Sequence, residues 1–441
     1  MLGVNQSSNL RHHDRPMRAI LIVVLLLLAS CAAEPTPGAD PDLLAAEAGA
    51  DPARALELMR QQGERFAQRP FVPGNEVRLL VNGPASFAAL SSAIRAARTR
   101  IDMESYEFDD QAGRGFARLL LDARRRGVAV HLIYDAWGAL TTPTALFTRL
   151  RAGGVQTLEY NPLVPNSRVP LNLNDRDHRK LLCVDGRVAI TGGVNISRVY
   201  ENAATLPKLA PDDEAWRDTD VRIDGPVVSQ FEHDFAQTWR TQHGAEIGPP
   251  PPPPAPHRDG LLVQAIDGTP GSGQPLIYRT LLAAMALAQH SIHLTTGFFV
   301  PTPDMRHGLE AAARRGVDVV LIVPGRSTST LAVVAGRAEY GELLEAGVKL
   351  REYQGRILHA KTAVIDGQWS AVGSSNLDWR STVWNNEIDA IILGATFGRE
   401  MDAVFDADLA TSRPISLEQW QRRGLGERMR ELQAELVERL L

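Results

Sequence analysis

Two short stretches of this sequence repeat one another. The first sets out His178, Lys180 and Asp185 as His, one residue, Lys, four residues, Asp; the second sets out His359, Lys361 and Asp366 in the same way. Each leads to a small-residue run that ends in Asn: Gly192-Gly193-Val194-Asn195 and Gly373-Ser374-Ser375-Asn376. His, Lys, Asp, Gly and Asn all recur at one offset of 181 residues. A single His-x-Lys-x4-Asp arises by chance in many chains, but a registered pair demands two related scaffolds in one polypeptide. A chain of 441 residues has room for them, since ordinary domains run to about 100–200 residues. A 44% hydrophobic fraction supplies both cores.

The flanking sequence is duplicated as well. In the first half, strand-like segments at 76–81, 101–108, 128–134 and 155–160 alternate with helical segments at 86–98, 113–126 and 144–152. The helices show apolar residues three and four apart, as at Phe87, Leu90, Ile94 and Ala97. In the second half, helical patterns at 275–289 and 304–315 alternate with strands at 292–300, 317–323 and 348–353. Ala123-Arg124-Arg125-Arg126-Gly127-Val128 resembles Ala312-Ala313-Arg314-Arg315-Gly316-Val317. After each motif, Asp-Gly (Asp185-Gly186 and Asp366-Gly367) between apolar runs predicts a β-hairpin. Strands separated by helices of this length predict an α/β architecture. The proline run at 249–254 favours extended polyproline II and reads as the connector between halves.

The residue types suit phosphodiester chemistry. Histidine can act as nucleophile or general acid near neutral pH. Lysine is a compact cation suited to a phosphate oxygen. On a strand, residues i and i+2 share a face, so His178 and Lys180 point together, as do His359 and Lys361. Two copies give one imidazole to attack phosphorus and another to protonate the departing alkoxide. Lys180, Lys361, Asn195 and Asn376 are left to bind the nonbridging oxygens. No metal or cofactor is required, because the lysines supply the positive charge. Cys183, inside an apolar run, reads as a buried structural thiol.

The paired units resemble the HKD motifs of the phospholipase D superfamily, and are most similar to those of bacterial cardiolipin synthases. The stretches that carry the resemblance are Asp177-His178-Arg179-Lys180-Leu181-Leu182, Trp216-Arg217-Asp218-Thr219-Asp220, Gly297-Phe298-Phe299-Val300-Pro301 and Asn385-Asn386-Glu387-Ile388. It implies two pseudo-twofold-related α/β/α domains with mixed sheets and one shared active site at their interface. It also implies a phosphohistidine intermediate, with His178 as nucleophile and His359 as general acid and then base. Asp218 and Glu387 would orient the histidines, each the one of its own motif. The motif aspartates Asp185 and Asp366 count with the catalytic set, although their place at the hairpin turns reads as structural. The implied activity is phosphatidyl transfer between glycerophospholipids, as in cardiolipin synthase. Hydrolysis to phosphatidic acid is the alternative, and a nuclease reading stands behind both. A net charge of −5 argues against a nucleic-acid partner. The expected partner is a membrane phospholipid, and the expected state a monomer.

The N-terminus reads as a targeting segment. Arg11, Arg15 and Arg18 precede an apolar run at 19–29 that is too short to span a bilayer comfortably. Leu28-Ala29-Ser30-Cys31 resembles the lipobox of exported bacterial lipoproteins, which implies lipidation at Cys31. Ala32 after it points to the periplasmic face of the outer membrane. The predicted organisation is a signal peptide at 1–30 and a tether with a short helix at 31–75. Phospholipase D-like domains follow at 76–245 and 260–412, joined by a Pro-rich linker at 246–259. An amphipathic helix at 413–441 ends the chain.

Overall fold

The computed structural model describes residues 41–163, 174–201, 215–269, 275–424 and 426. The predicted signal peptide, Cys31 and the C-terminal helix beyond 426 lie outside the described residues. In the first half the strands are β1 (Val72–Val81), β2 (Arg100–Ser105), β3 (Ala129–Asp135), β4 (Gln156–Tyr160), β5 (Arg176–Asp177), β6 (Lys180–Val184), β7 (Val188–Gly192) and β8 (Thr219–Asp224). The second half holds β9 (Leu261–Gly268), β10 (Ser291–Thr295), β11 (Phe299–Val300), β12 (Asp318–Pro324), β13 (Lys349–Tyr353), β14 (Thr362–Ile365), β15 (Trp369–Gly373), β16 (Leu377–Asp378), β17 (Asn385–Leu393) and β18 (Ser412–Pro414).

Reading outward from the middle, one half runs β1, β8, β7, β6, β2, β3, β4; the other runs β9, β17, β15, β14, β10, β12, β13 and ends on β18. The successions match strand for strand as far as β4 and β13, so the duplication extends to the topology; β18 is added antiparallel at the edge of the second half. Within each half the strands on either side of the motif hairpin pair antiparallel, and the next three, β2, β3 and β4 or β10, β12 and β13, are parallel. The helices Asn82–Ala96 and Leu276–Leu287 occupy corresponding places after β1 and β9.

The halves are not two separate sheets. β1 and β9 pair antiparallel at the centre, through Val72↔Val263 and Asn75↔Leu261. The described residues therefore share a 16-stranded sheet. β1 begins at Val72, earlier than the pattern at 76–81 suggested, because its first residues make this junction.

The segment before β1 is more than a tether. Asp51 caps the helix Pro52–Ala67 by accepting from Ala53 N and Arg54 N. Leu58, Met59 and Phe66 from its apolar face are buried in one core with Tyr278 and Met285 of the second half. Each large apolar side chain so buried stabilises the fold by roughly 1.5–3 kcal/mol. The chain thus docks on the second half before it enters the first.

Two predicted strands end early. The patterns at 101–108 and 292–300 stop at Ser105 and Thr295, where the chain turns aside to pass the motifs. A Cβ on Gly297 would lie 2.9 Å from the Cα of His359, so only glycine allows this approach. The polyproline segment carries neither helix nor strand. It is held in place where Arg100 Nη1 donates to Gly248 O at 2.5 Å.

Candidate active site

The motif segments cross from one half to the other. Arg176 and Asp177 of β5 pair in parallel with Asn385 and Asn386 of β17, and His178 N donates to Asn386 O at 3.0 Å. In the mirror arrangement Arg217 bridges to Leu358, and His359 N donates to Arg217 O at 2.8 Å. Each histidine is thereby laid beside the acidic strand of the opposite half.

The orientation of the imidazoles follows. His178 Nδ1 lies 3.0 Å from Glu387 Oε1, and His359 Nδ1 lies 2.8 Å from Asp218 Oδ2. The expectation that each acid serves its own motif is therefore corrected. The pairing is exchanged, because the segment before each motif hydrogen-bonds across the junction before its histidine is placed. The ring centroids are 6.4 Å apart.

Second partners fix the carboxylates. Glu387 accepts from Ser374 Oγ at 2.5 Å, Ser381 Oγ at 2.8 Å and Asn385 Nδ2 at 3.2 Å. Asp218 accepts from Thr219 N at 2.8 Å and is packed against Gly193, where a Cβ would come within 2.1 Å of Oδ1. The small-residue runs thus have a steric reason: one copy needs glycine where the other uses the hydroxyl of Ser374.

Lys180 and Lys361 are both buried. Each ammonium donates to the carbonyl of its own motif histidine, Lys180 Nζ to His178 O and Lys361 Nζ to His359 O. Asn195 Oδ1 accepts from Glu107 N, and Asn376 Oδ1 from Phe298 N, both at 3.2 Å. Each asparagine ties its loop to the chain just past β2 or β10 through its oxygen, and the Asn195 side chain also hydrogen-bonds the Tyr200 hydroxyl.

Asp185 and Asp366 stand apart from this cluster, which corrects their grouping with the catalytic residues. Both begin turns in which they and the following glycine have positive φ, the type I′ geometry. Asp185 accepts from the backbone N–H of Arg98, Thr99 and Arg100. Asp366 accepts from those of Gln289, His290 and Ser291. They clamp the starts of β2 and β10 to the hairpins. Cys183 is buried in β6, and burial pushes its thiol pKa up.

Several residues at the site lie outside the candidate set read from the sequence. Tyr200 OH lies 3.0 Å from His359 Nδ1, Trp216 packs 5.3 Å from the His359 ring, and Tyr106 packs 5.1 Å from that of His178. Asp220 Oδ1 receives Val194 N, and Asp389 Oδ1 receives Ser374 N and Ser375 N, so these carboxylates hold the small-residue loops. The repeated spacing Asp218-x-Asp220 and Glu387-x-Asp389 was the available signal for the last pair.

Burial sets the charge states. Burial and the nearby Lys180 and Lys361 charges hold the His178 pKa well below its ordinary value. Burial and Lys361 bring that of His359 down to about 3. Both imidazoles are accordingly neutral at pH 7 before a substrate anion binds. Burial also lowers Lys180 and Lys361 to about 8 each, against the attraction of Glu387 and Asp218. At neutral pH the pocket offers two cations and two neutral imidazoles, which suits a singly charged phosphodiester. The sign of the pH dependence follows: deprotonation removes the charge that binds the anion. The value of kcat/KM should fall above pH about 8, while the fall in kcat moves to higher pH because bound anion stabilises the ammonium form. A kcat/KM profile flat through pH 10 would remove the lysines from phosphate binding.

The family described as "Cardiolipin synthase, PLD-like domain" matches residues 90–239 and 281–409, one stretch in each half. Cardiolipin synthase A of Pseudomonas aeruginosa is 35% identical over 354 residues, covering 79% of this chain and 70% of that protein. Cardiolipin synthase of a Geobacillus species is 32% identical over 388 residues, covering 86% and 75% respectively. Among solved structures, the crystal structure of phosphatidylserine synthase from Haemophilus influenzae aligns with a TM-score of 0.63 at 13% identity, over 87% of this chain and 100% of that one. That last likeness is one of fold.

Proposed function

The chain belongs to the cardiolipin synthase, phospholipase D-like domain family, and from that premise we propose that it is a phosphatidyltransferase, most like cardiolipin synthase, working through a phosphohistidine on His178. The observation that carries the reading is the exchanged pair of imidazoles, each held through Nδ1 by a carboxylate of the other half. With Nδ1 engaged, Nε2 of His178 is the nitrogen left to attack phosphorus. The N–P bond forms as the P–O bond to the headgroup alcohol breaks, and His359 gives its proton to the departing oxygen. The substrate anion, together with Asp218, offsets the burial and the lysine charge that keep His359 neutral beforehand.

In the second step neutral His359 takes the proton of the incoming hydroxyl, whose oxygen displaces His178. Lys180, Lys361 and the amides of Asn195 and Asn376 hold the nonbridging oxygens throughout. A lipid alcohol such as phosphatidylglycerol as acceptor yields cardiolipin, and water yields phosphatidic acid. The test is incubation of the purified full chain with phosphatidylglycerol and phosphatidylethanolamine, with and without added alcohol, followed by mass spectrometry. Cardiolipin or a phosphatidyl alcohol is expected. Phosphatidic acid alone would make the protein a hydrolase, and cleavage of single-stranded DNA without lipid turnover would sink both lipid readings.

The proposed location is the periplasmic face of the outer membrane, through a lipid on Cys31. The lipobox-like Leu28-Ala29-Ser30-Cys31 supports it. Cys31→Ser should release the protein from the membrane fraction of expressing cells; retention at the level of the parent would exclude the anchor.

A further inference from the structure

The second half contains a cavity of about 310 Å³, a size at the lower end of small-molecule sites. One part of its wall is Lys361 and Asn376, within the site described above. From there it follows one face of the sheet between the motif strands and the helix Leu276–Leu287. Lys361 and Ala363, Trp369 and Ala371, and Asp389 and Ile391 all line it, as alternation along β14, β15 and β17 requires. From Asn385 to Ile391 it follows about 20 Å of strand, at about 3.3 Å per residue. The deep part is apolar and buried: Leu294, Met305, Trp369 and Ile391 belong to the core of the second half. Protein cores are otherwise close-packed, so a cavity of this size set against one is a specific feature.

The other half shows that the fold does not impose the void. There, the corresponding space beside Lys180, under Met103, Val194 and Asp220, is only about 10 Å³, about the least that holds a water. The difference is written in one cross-strand pair. In the first half Leu182 faces Ile190 across the hairpin. At the 181-residue offset of the motifs, Ala363 faces Ala371. Two bulky side chains close the first copy, and two methyls leave the second open.

We propose that this cavity seats one acyl chain of the phospholipid substrate, with the phosphodiester between the histidines and the chain descending from Lys361 between Ala363 and Ala371. The layout matches such a molecule from head to tail, with cation and amide at one part and a mainly apolar wall of Leu294, Met305, Trp369 and Ile391 beyond. Placement in one half only gives the pseudosymmetric site a single orientation for its lipid. The inference rests on the phosphatidyltransferase reading, in that it names the substrate as a diacyl lipid.

The test transplants the first half's pair into the second, as Ala363→Leu with Ala371→Ile. Activity is compared on dioleoyl phosphatidylglycerol in detergent micelles and on bis(p-nitrophenyl) phosphate, which has no acyl chain. The expected result is a tenfold or greater loss of kcat/KM on the lipid, with the soluble diester within twofold of the parent. Equal losses on both substrates, or no loss on either, would overturn the proposal. Leu281→Trp, from a half-buried helical position on the cavity wall, should give the same pattern should the double variant fail to fold. If the parent cleaves the soluble diester but no lipid, the transferase reading has failed, and binding decides the cavity separately. Phosphatidylglycerol with brominated acyl chains should quench fluorescence in the parent by an amount that Trp369→Phe removes. Quenching unaffected by Trp369→Phe would mean that no chain enters.

Discussion

His178→Gln is expected to abolish turnover, lowering kcat by roughly 10⁴–10⁶-fold, the range in which removal of a nucleophile acts. The geometry makes this a sharp test, because the site offers a second imidazole in a near-equivalent place. His359 has its own carboxylate, Asp218, and its own lysine, so symmetry alone would allow either ring to attack. The surroundings differ in what they supply. Glu387 receives hydroxyls from Ser374 and Ser381, whereas the Nδ1 of His359 has both Asp218 and the phenol of Tyr200 within 3.0 Å. Quenching during turnover in alkaline denaturant, where the N–P bond survives, followed by intact-mass measurement, should show a phosphatidyl adduct on the parent and none on His178→Gln. An adduct that persists in the variant would transfer the nucleophile's role to His359.

His359→Gln is expected to separate two substrates. On phosphatidylglycerol, whose departing alkoxide needs a proton, the rate should drop by about 10²–10⁴-fold, the usual contribution of general acid catalysis. With a p-nitrophenyl diester the leaving group departs without help, so the first step survives. The second step then stalls for want of a base. A burst of p-nitrophenolate close to one equivalent per enzyme should be followed by a slow steady state, with adduct accumulating on His178. Absence of the burst with the p-nitrophenyl diester would show that His359 does more than move the proton, and an undiminished rate on phosphatidylglycerol would show that it does not move it.

Much of the fold was legible because it was written twice. Each half's alternation of strand and helix is local, and matched glycine stops at Gly127 and Gly316 punctuate equivalent helices; both have φ near +90°. The helix Thr144–Ala152 has the bounds its pattern suggested. What could not be read was anything that depends on docking the halves. The junction of β1 with β9 links Val72 to Val263, and the helix at 52–67 packs on a partner more than 200 residues away. At the site, the residue types that bear the chemistry were visible in the repeat. Their pairing was not, since Glu387 reaches His178 only through the crossing of β5 onto β17. Tyr106 and Tyr200 were silent because ring packing against an imidazole leaves no spacing in a sequence.

The exchange of carboxylates between halves has the form of a twofold interface, in which each side lends the other what it receives. In an assembly of identical subunits any substitution is made at both sites at once, and the centre stays symmetric. A single chain lifts that constraint. Gly193 opposite Ser374, and Leu182 with Ile190 opposite Ala363 with Ala371, are changes made on one side only. Joining the copies covalently therefore gives the site a direction: two related half-sites can present different surfaces to the two ends of one asymmetric molecule.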